Sequence, residues 1–117
     1  MNNYELEKSL VVYEKSVSFP DVSGIEHLDM LLTRSKIEQN RQYLDSSQED
    51  RLSAADQQLL KHREQFCKAI QRIGKLENWR QEYGVHVSHW WWFLDVLTSA
   101  WPQIEMASST TPSPVRS

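Results

Sequence analysis

The stretch SAADQQLLKHREQFCKAIQRIGKLENWRQEYG, residues 53–84, is the longest helical pattern in the chain and decides the predicted fold class. Six apolar residues share one seam of this predicted helix: Leu59, Phe66, Ala69, Ile73, Leu76 and Tyr83. Their near-heptad spacing suits a helix that packs at a shallow angle against a neighbour. Ser53 with Asp56 predicts the start of the helix, and Gly84 predicts its end. Gly74, inside the pattern, indicates either a close helix approach or a bend.

A shorter helix is predicted at the N-terminus. Asn2 followed three residues later by Glu5 is typical of a helix start, because the asparagine side chain can accept from an early backbone amide. Four apolar residues then recur at helical spacing: Leu6, Leu10, Tyr13 and Val17. Alternation at Val11, Tyr13, Val17 and Phe19 leaves a strand over residues 4–19 as the alternative.

A second capping box, Ser23 with Glu26, predicts a helix over Gly24–Leu44. Its first two turns carry an apolar face: Ile25, Leu28, Leu31 and Leu32. Beyond Thr33, polar Ser35 and Gln39 continue the stripe, although Tyr43 restores it, so we expect this half to be less buried. We interpret Asp45–Asp50 as a loop. We expect this helix and the long one to pack antiparallel through their Leu28/Leu32 and Phe66/Ile73 faces.

The segment SHWWWFLDVLTSAW, residues 88–101, holds four of the five tryptophans. Ser88 and Pro102 would bound a helix over His89–Trp101, although residues 85–95 also have strand propensity. A helical wheel divides the segment into two sets. The core set is Trp90, Phe93, Leu94, Leu97 and Trp101. The polar set is Trp91, Asp95 and Thr98, and Trp92 lies at its margin.

The position of Trp91 and Trp92 therefore has three possible explanations. The helix is sandwiched and buried all round, or these tryptophans form a homo- or heteromeric interface, or they line a small-molecule or peptide pocket. In the second case the partner-binding residues are Trp91, Trp92, Asp95 and Thr98.

The composition agrees with an all-α class. Three glycines and four prolines in 117 residues are few for a strand-and-turn architecture. We expect one small helical bundle of three or four helices over residues 1–102, with a long antiparallel helix pair and a tryptophan-rich C-terminal helix. The tail, residues 103–117, is rich in Ser, Thr and Pro and is predicted to be disordered.

Charge and targeting signals restrict the function classes. The net charge of −3 is opposite in sign to that of a typical nucleic-acid module. The single cysteine, Cys67, excludes an intramolecular disulfide. The N-terminus lacks a signal-peptide pattern, and the longest apolar run, Trp90–Leu94, is too short to span a bilayer. We expect a soluble, cytoplasmic protein without a membrane partner.

Catalytic and metal-binding patterns are weak. The possible ligands, beside carboxylates, are His27, His62, His86, His89 and Cys67, and none stands in a recognised zinc or di-iron spacing. A row of basic residues, Lys61, Lys68, Arg72 and Lys75, could contact phosphates, but Glu64 and Glu77 dilute it.

We predict a non-catalytic protein–protein interaction module without metal or cofactor: an adaptor, regulator or assembly factor that docks through the tryptophan-rich C-terminal helix. Its partner would be another protein or a second copy of the chain. The alternatives are a small metal-dependent or Cys/His enzyme that uses His62, Cys67, His86 or His89, and a nucleic-acid-binding regulator that uses the basic row.

Overall fold

A computed structural model of the chain describes residues 2–98, where every regular element is helical. Five α-helices follow in order: α1 (Asn3–Val17), α2 (Gly24–Gln39), α3 (Ser46–Lys61), α4 (Arg63–Gln71) and α5 (Leu76–Tyr83). Two 3₁₀ turns, Arg41–Tyr43 and Trp90–Trp92, accompany them, and residues 94–98 are again helical. The predicted all-α bundle is confirmed, with more and shorter helices than expected. The predicted helix end at Trp101 and the tail 103–117 lie outside the described residues.

Helix α1 forms as its cap and apolar spacing predict. The Asn2 side chain accepts from the Glu5 amide at 2.9 Å. Four residues on one face are buried: Leu6, Leu10, Tyr13 and Val17. The helical interpretation of residues 4–19 is therefore confirmed over the strand alternative.

Helix α2 begins at its predicted cap, where Ser23 Oγ accepts from the Glu26 amide. It ends at Gln39, before the predicted Leu44. Ile25 is 55% exposed, contrary to its place on the predicted apolar face. The second half, predicted to be less buried, contains the fully buried Arg34 and Ile37. A charged residue thus continues the core face of this helix.

The predicted loop Asp45–Asp50 is wrong, because α3 begins inside it. The Asp45 carboxylate accepts from the Gln48 amide, and the Gln48 side chain accepts in return from the Asp45 amide. This capping box satisfies two amides that would otherwise be orphaned at the helix end. Ser53 is therefore an internal residue of α3 and does not cap it.

The predicted continuous helix over residues 53–83 is divided between α3, α4 and α5. The first break lies at His62, where the Arg63 guanidinium donates to the Leu60 carbonyl at 2.8 Å. The second break contains Gly74 with φ 155°, so the bend is the confirmed interpretation of that glycine. Gly84 ends α5 in the left-handed conformation, as predicted, with φ 58°. These breaks change the predicted seam, since Ile73 and Tyr83 are 40% and 44% exposed.

The tryptophan segment also differs from its prediction. No helix begins at His89; the chain forms a 3₁₀ turn at Trp90–Trp92 before residues 94–98 become helical. Helix α2 contacts this turn, as well as α1 and α4, while α1 also packs on α3. The predicted contact between the second helix and the Phe66 segment is present as the α2–α4 packing. None of the helices within residues 2–98 has the length and apolar character needed to cross a bilayer.

The close approach of α2 to α4 at Gly24 yields a stability prediction. A Cβ added at Gly24 would collide with the Ala69 carbonyl oxygen, which belongs to the α4 backbone. We expect Gly24→Ala to lower the free energy of unfolding by about 1–3 kcal/mol, because α2 and α4 must separate. Urea unfolding monitored by circular dichroism measures this change.

Gly84 provides the matched control. Nothing lies within 4 Å of a Cβ added there, so Gly84→Ala meets only the left-handed backbone penalty, about 1 kcal/mol. Asparagine, which tolerates this conformation, should relieve the penalty at position 84 and not at position 24. Equal stability of Gly24→Ala and the wild type would contradict the close-approach explanation.

Candidate functional site

The centre of the bundle contains a buried ion pair between α2 and α3. The side chain of Arg34 is 1% exposed and donates from Nε and Nη2 to the two carboxylate oxygens of Asp56, each at 2.9 Å. Its Nη1 donates to Glu38 at 2.9 Å. Tyr13 of α1 donates its hydroxyl to Asp56 at 2.6 Å. Three helices therefore meet at one guanidinium–carboxylate pair.

The titration of these groups reflects that arrangement. Burial, together with the Asp56 charge, raises the pKa of Tyr13 well above its ordinary value. Burial alone would lower the pKa of Arg34, but its bonds to Asp56 and Glu38 outweigh that effect and the pKa rises. The charged guanidinium and the neutral phenol are thus the stable forms.

Trp91 packs on the Arg34 guanidinium, whose central carbon lies 4.0 Å from the ring centroid. Its exposed fraction is 1%, and that of Trp92 is 0%. Of the three explanations for these tryptophans, their packing agrees with burial within the chain, and their role in partner binding stays a prediction. A cation held over an indole face is a favourable contact, and here it is removed from water.

Ser35, the residue after Arg34, accepts hydrogen bonds from the indole N–H groups of both tryptophans. Trp91 Nε1 and Trp92 Nε1 donate to Ser35 Oγ at 3.0 and 2.8 Å. A third group, His89 Nδ1, lies 3.0 Å from the same oxygen. A serine hydroxyl has one hydrogen and two acceptor sites, whereas an indole N–H can only donate. The two tryptophans fill both acceptor sites, so the Ser35 hydrogen is donated to His89 Nδ1.

This bonding fixes the histidine tautomers. Because His89 Nδ1 accepts, its ring proton is on Nε2. The same holds for His86, whose Nδ1 accepts from the Ser88 backbone amide at 3.1 Å. Burial lowers the pKa of His89 below its ordinary 6.5, which favours the neutral ring. Each ring therefore uses Nδ1 as an acceptor within the protein and keeps an Nε2–H donor on its other side.

A cleft of about 380 Å³ lies beside these rings, between α2 and the segment 83–92. Its apolar wall consists of Leu32, Val85 and Trp92, and Tyr83 contributes a second ring. Its polar side consists of Ser35, Lys36, Gln39, His86 and His89. An apolar wall with a few convergent polar groups is the usual character of a small-ligand site.

The other two predicted partner-binding residues lie away from this cleft. Asp95 pairs with Arg80 of α5 at 2.8 Å, and Arg80 also donates to the Trp92 carbonyl at 2.8 Å. Thr98 and Asp95 border a separate depression beside Cys67. The predicted set therefore does not form one exposed surface: two members are buried, and Asp95 holds the segment onto α5.

The residues of the enzyme alternative are also dispersed. Burial raises the pKa of the Cys67 thiol, which favours the unreactive protonated form. His62 is half-buried at the α3–α4 break, next to Gln58 and Gln65. His86 and His89 lie close together, with ring centroids 6.4 Å apart. Residues 2–98 contain no group of three or more His, Cys, Asp or Glu side chains placed to hold a metal ion.

The basic row does not share one helix. Lys61 is the last residue of α3, Lys68 belongs to α4, and Arg72 and Lys75 are the terminal caps on either side of the second break. All four are exposed, and Lys68 pairs with Glu64 at 3.4 Å. The single helical arc that motivated a phosphate-binding surface is therefore absent.

Sequence reasoning missed Arg34 entirely and treated Ser35 only as a thinning of the apolar stripe. The available signal was the position of Arg34, three residues after Leu31 and three before Ile37 on the core face. Comparison with protein-family models, curated proteins and solved structures finds no match to this chain.

Removing one member of the buried Arg34–Asp56 pair should lower the free energy of unfolding more than replacing both members with apolar residues. We expect Asp56→Ala to lower the free energy of unfolding by about 3 kcal/mol, because it leaves the buried Arg34 guanidinium with the partly exposed Glu38 in place of two carboxylate partners. The double variant Arg34→Met/Asp56→Leu should lose less than this single one. Glu49→Ala, which removes the exposed partner of Arg41, should cost under about 1 kcal/mol. Chemical unfolding measures the free energy of unfolding of all three variants. Equal losses of stability in Asp56→Ala and Glu49→Ala would contradict the buried-pair account.

Stability should also depend on pH between about 5 and 7.5, a range above most carboxylate titrations. Burial lowers the pKa of His27 and of His89 in the folded chain, so the unfolded chain binds protons first as the pH falls. The free energy of unfolding is therefore full above the ordinary pKa of 6.5 and decreases below it. Urea unfolding across this range measures the slope.

Two variants separate the histidines. His89→Asn keeps an acceptor near the position of Nδ1, and His27→Gln keeps a donor near that of Nε2, which bonds the Pro20 carbonyl. Each should reduce the pH slope, and the double variant should nearly remove it. An unchanged slope in both single variants would assign the proton uptake to other groups.

Proposed function

We propose that this chain is a non-catalytic protein–protein interaction module, an adaptor, regulator or assembly factor of the cytoplasm, which docks through the end of the α1–α2 pair. The observation that carries the proposal is Phe19, which is 61% exposed beside Val22 on a cleft of about 280 Å³. We call this surface the α1–α2 corner. Its lining residues are Lys15, Ser16, Phe19, Val22, Glu26 and His27.

The corner presents its apolar side chains on a fixed backbone. The Phe19 amide donates to the Ser16 carbonyl, and buried His27 bonds the Pro20 carbonyl through Nε2 at 3.0 Å. The His27 ring also meets Phe66 edge-on, with centroids 4.5 Å apart, which ties the loop to α4. A preorganised aromatic anchor loses little conformational entropy when a partner covers it.

The rim defines the partner's chemistry. Lys15 of α1 and Glu26 of α2 border the cleft with charges of opposite sign, and neither forms an ion pair within residues 2–98. An apolar centre with a charged rim is the usual anatomy of a transient interface. We therefore propose, as the occupant, a segment of another protein with one large apolar side chain, flanked by an acidic residue for Lys15 and a basic one for Glu26.

This location replaces the tryptophan segment as the proposed docking surface. Trp91 and Trp92 already pack within their own chain, so their area is not available to a partner without unfolding the segment. Phe19 leaves most of its ring in water, and burying such a ring is worth about 2 kcal/mol. Burying Phe19 would therefore contribute more free energy to docking than the tryptophan segment, whose rings are already buried.

The test compares affinity purification with the full chain, with Phe19→Ser and with Tyr4→Ser. Tyr4 is 69% exposed on α1 and supplies a matched loss of aromatic surface. The proposal expects a near-stoichiometric partner that the wild type and Tyr4→Ser recover and Phe19→Ser does not. Calorimetry with that purified partner should give a Kd raised about tenfold or more by Phe19→Ser, and also weakened by Lys15→Glu.

Three outcomes would overturn the proposal: no stoichiometric partner, equal recovery by Phe19→Ser, or equal loss with Tyr4→Ser. Sedimentation of the purified chain tests the remaining alternative. A dimer that Phe19→Ser dissociates would make the occupant a second copy and would overturn the heteromeric proposal.

A further inference from the structure

We propose that the cleft between α2 and the segment 83–92 binds the carboxylate of an organic acid, with the apolar part of the acid against Leu32 and Val85. This site is separate from the α1–α2 corner and does not depend on the function proposed for it. The argument rests on the hydrogen-bonding capacity of the lining, its charge and its apolar wall.

The cleft is lined by hydrogen-bond donors. The Ser35 bonding leaves His89 with its proton on Nε2, and the Ser88 amide leaves His86 in the same tautomer. Lys36 adds an ammonium group to the same lining. Two imidazole N–H groups and one ammonium group can all donate to the oxygens of a carboxylate.

The same tautomers oppose a metal ion at this position. A ring nitrogen binds a metal only when it carries no proton. To free Nε2, the His89 proton would have to move to Nδ1, where Ser35 would have to accept it. Both acceptor sites of Ser35 are filled by Trp91 and Trp92. The pair His86 and His89 is therefore arranged to donate to a ligand.

The charge of the lining favours an anion. Lys36 is the charged residue on it, and neither Asp nor Glu lines the cleft in the part of the chain that the structure describes. Lys36 forms no ion pair within residues 2–98. In a chain with a net charge of −3, this local positive charge is the reverse of the average. One ammonium group matches a single carboxylate better than a doubly charged phosphate.

The apolar wall requires an organic acid. Leu32 and Val85 are partly exposed on the lining of the cleft. Tyr83 is 44% exposed there, and its ring lies 5.6 Å from that of the buried Trp92. A bare inorganic anion would leave this wall in water, whereas an aromatic or branched acid would cover it. The same chemistry is present in a free small acid and in the C-terminal residue of a peptide.

The experiment is an NMR titration of the full chain at constant pH, with phenylacetate as the free acid and acetyl-glycyl-phenylalanine as the peptide acid, each to about 10 mM. The matched probes without a carboxylate are phenylacetamide and the peptide amide, and inorganic phosphate is the anion without an apolar part. We expect saturable shifts of the Trp92 indole and the Gly84 amide with one or both acids. Binding by the free acid alone or by the peptide acid alone identifies the source.

Variants at the exposed lining residues test the donors. Lys36→Met and His86→Leu should each raise the Kd of the bound acid about tenfold, because each removes one charge-assisted contact. His86→Gln retains an N–H near the position of Nε2 and should bind within about twofold of the wild type. Lys61→Met, which removes an exposed lysine from the end of α3, is the control for net charge.

The proposal fails if neither acid gives saturable shifts, or if an amide or phosphate binds as tightly as the acids. It also fails if Lys36→Met and Lys61→Met weaken binding equally, since the effect would then be one of overall charge. Because the substituted residues are exposed and outside the Arg34 pair, unchanged unfolding curves should show that the variants fold.

Discussion

The guanidinium of Arg34 is buried where several elements meet, and its need for carboxylate partners fixes how the helices pack. A charge without a partner in a protein interior costs several kcal/mol, and Arg34 has two carboxylate partners, Glu38 on its own helix and Asp56 on α3. Tyr13 of α1 then completes the carboxylate shell, and Trp91 covers the guanidinium face. These groups come from four separate elements. A shift of any one of them would leave a charge or a polar hydrogen unsatisfied, which fixes how the helices pack.

Ser35, the next residue of α2, extends that constraint to the C-terminal segment. Arg34 holds Trp91 through its ring face, and Ser35 holds Trp91 and Trp92 through their N–H groups. Two consecutive residues of one helix therefore determine where two consecutive tryptophans lie. The hydrogen-bonding capacity of a single hydroxyl then sets the protonation of His89. The chemistry of the cleft is in this way a consequence of core packing.

The sequence predicts the parts of this structure that local interactions determine. The caps at Asn2, Ser23 and Gly84 act within one helical turn, and all three are confirmed. The break at His62 contains neither glycine nor proline, so no residue type in the sequence indicates it. The 3₁₀ turn at Trp90–Trp92 depends on Ser35, which is 56 residues away from Trp91. Hydrophobic periodicity cannot indicate either, because it records which residues are apolar and not which polar residues satisfy them.

The same limit explains why the candidate site escaped prediction. His27 and His89 have the same shifted pKa direction, for the same reason of burial. Their bonds make them different. His27 uses Nε2 on the Pro20 carbonyl, so its donor serves the loop beneath the α1–α2 corner. His89 accepts from the Ser35 hydroxyl through Nδ1, so the Nε2–H of this cleft-lining ring has no role in that bond. Which nitrogen the fold uses separates a structural histidine from one available to a ligand, and only the partners of each ring reveal it.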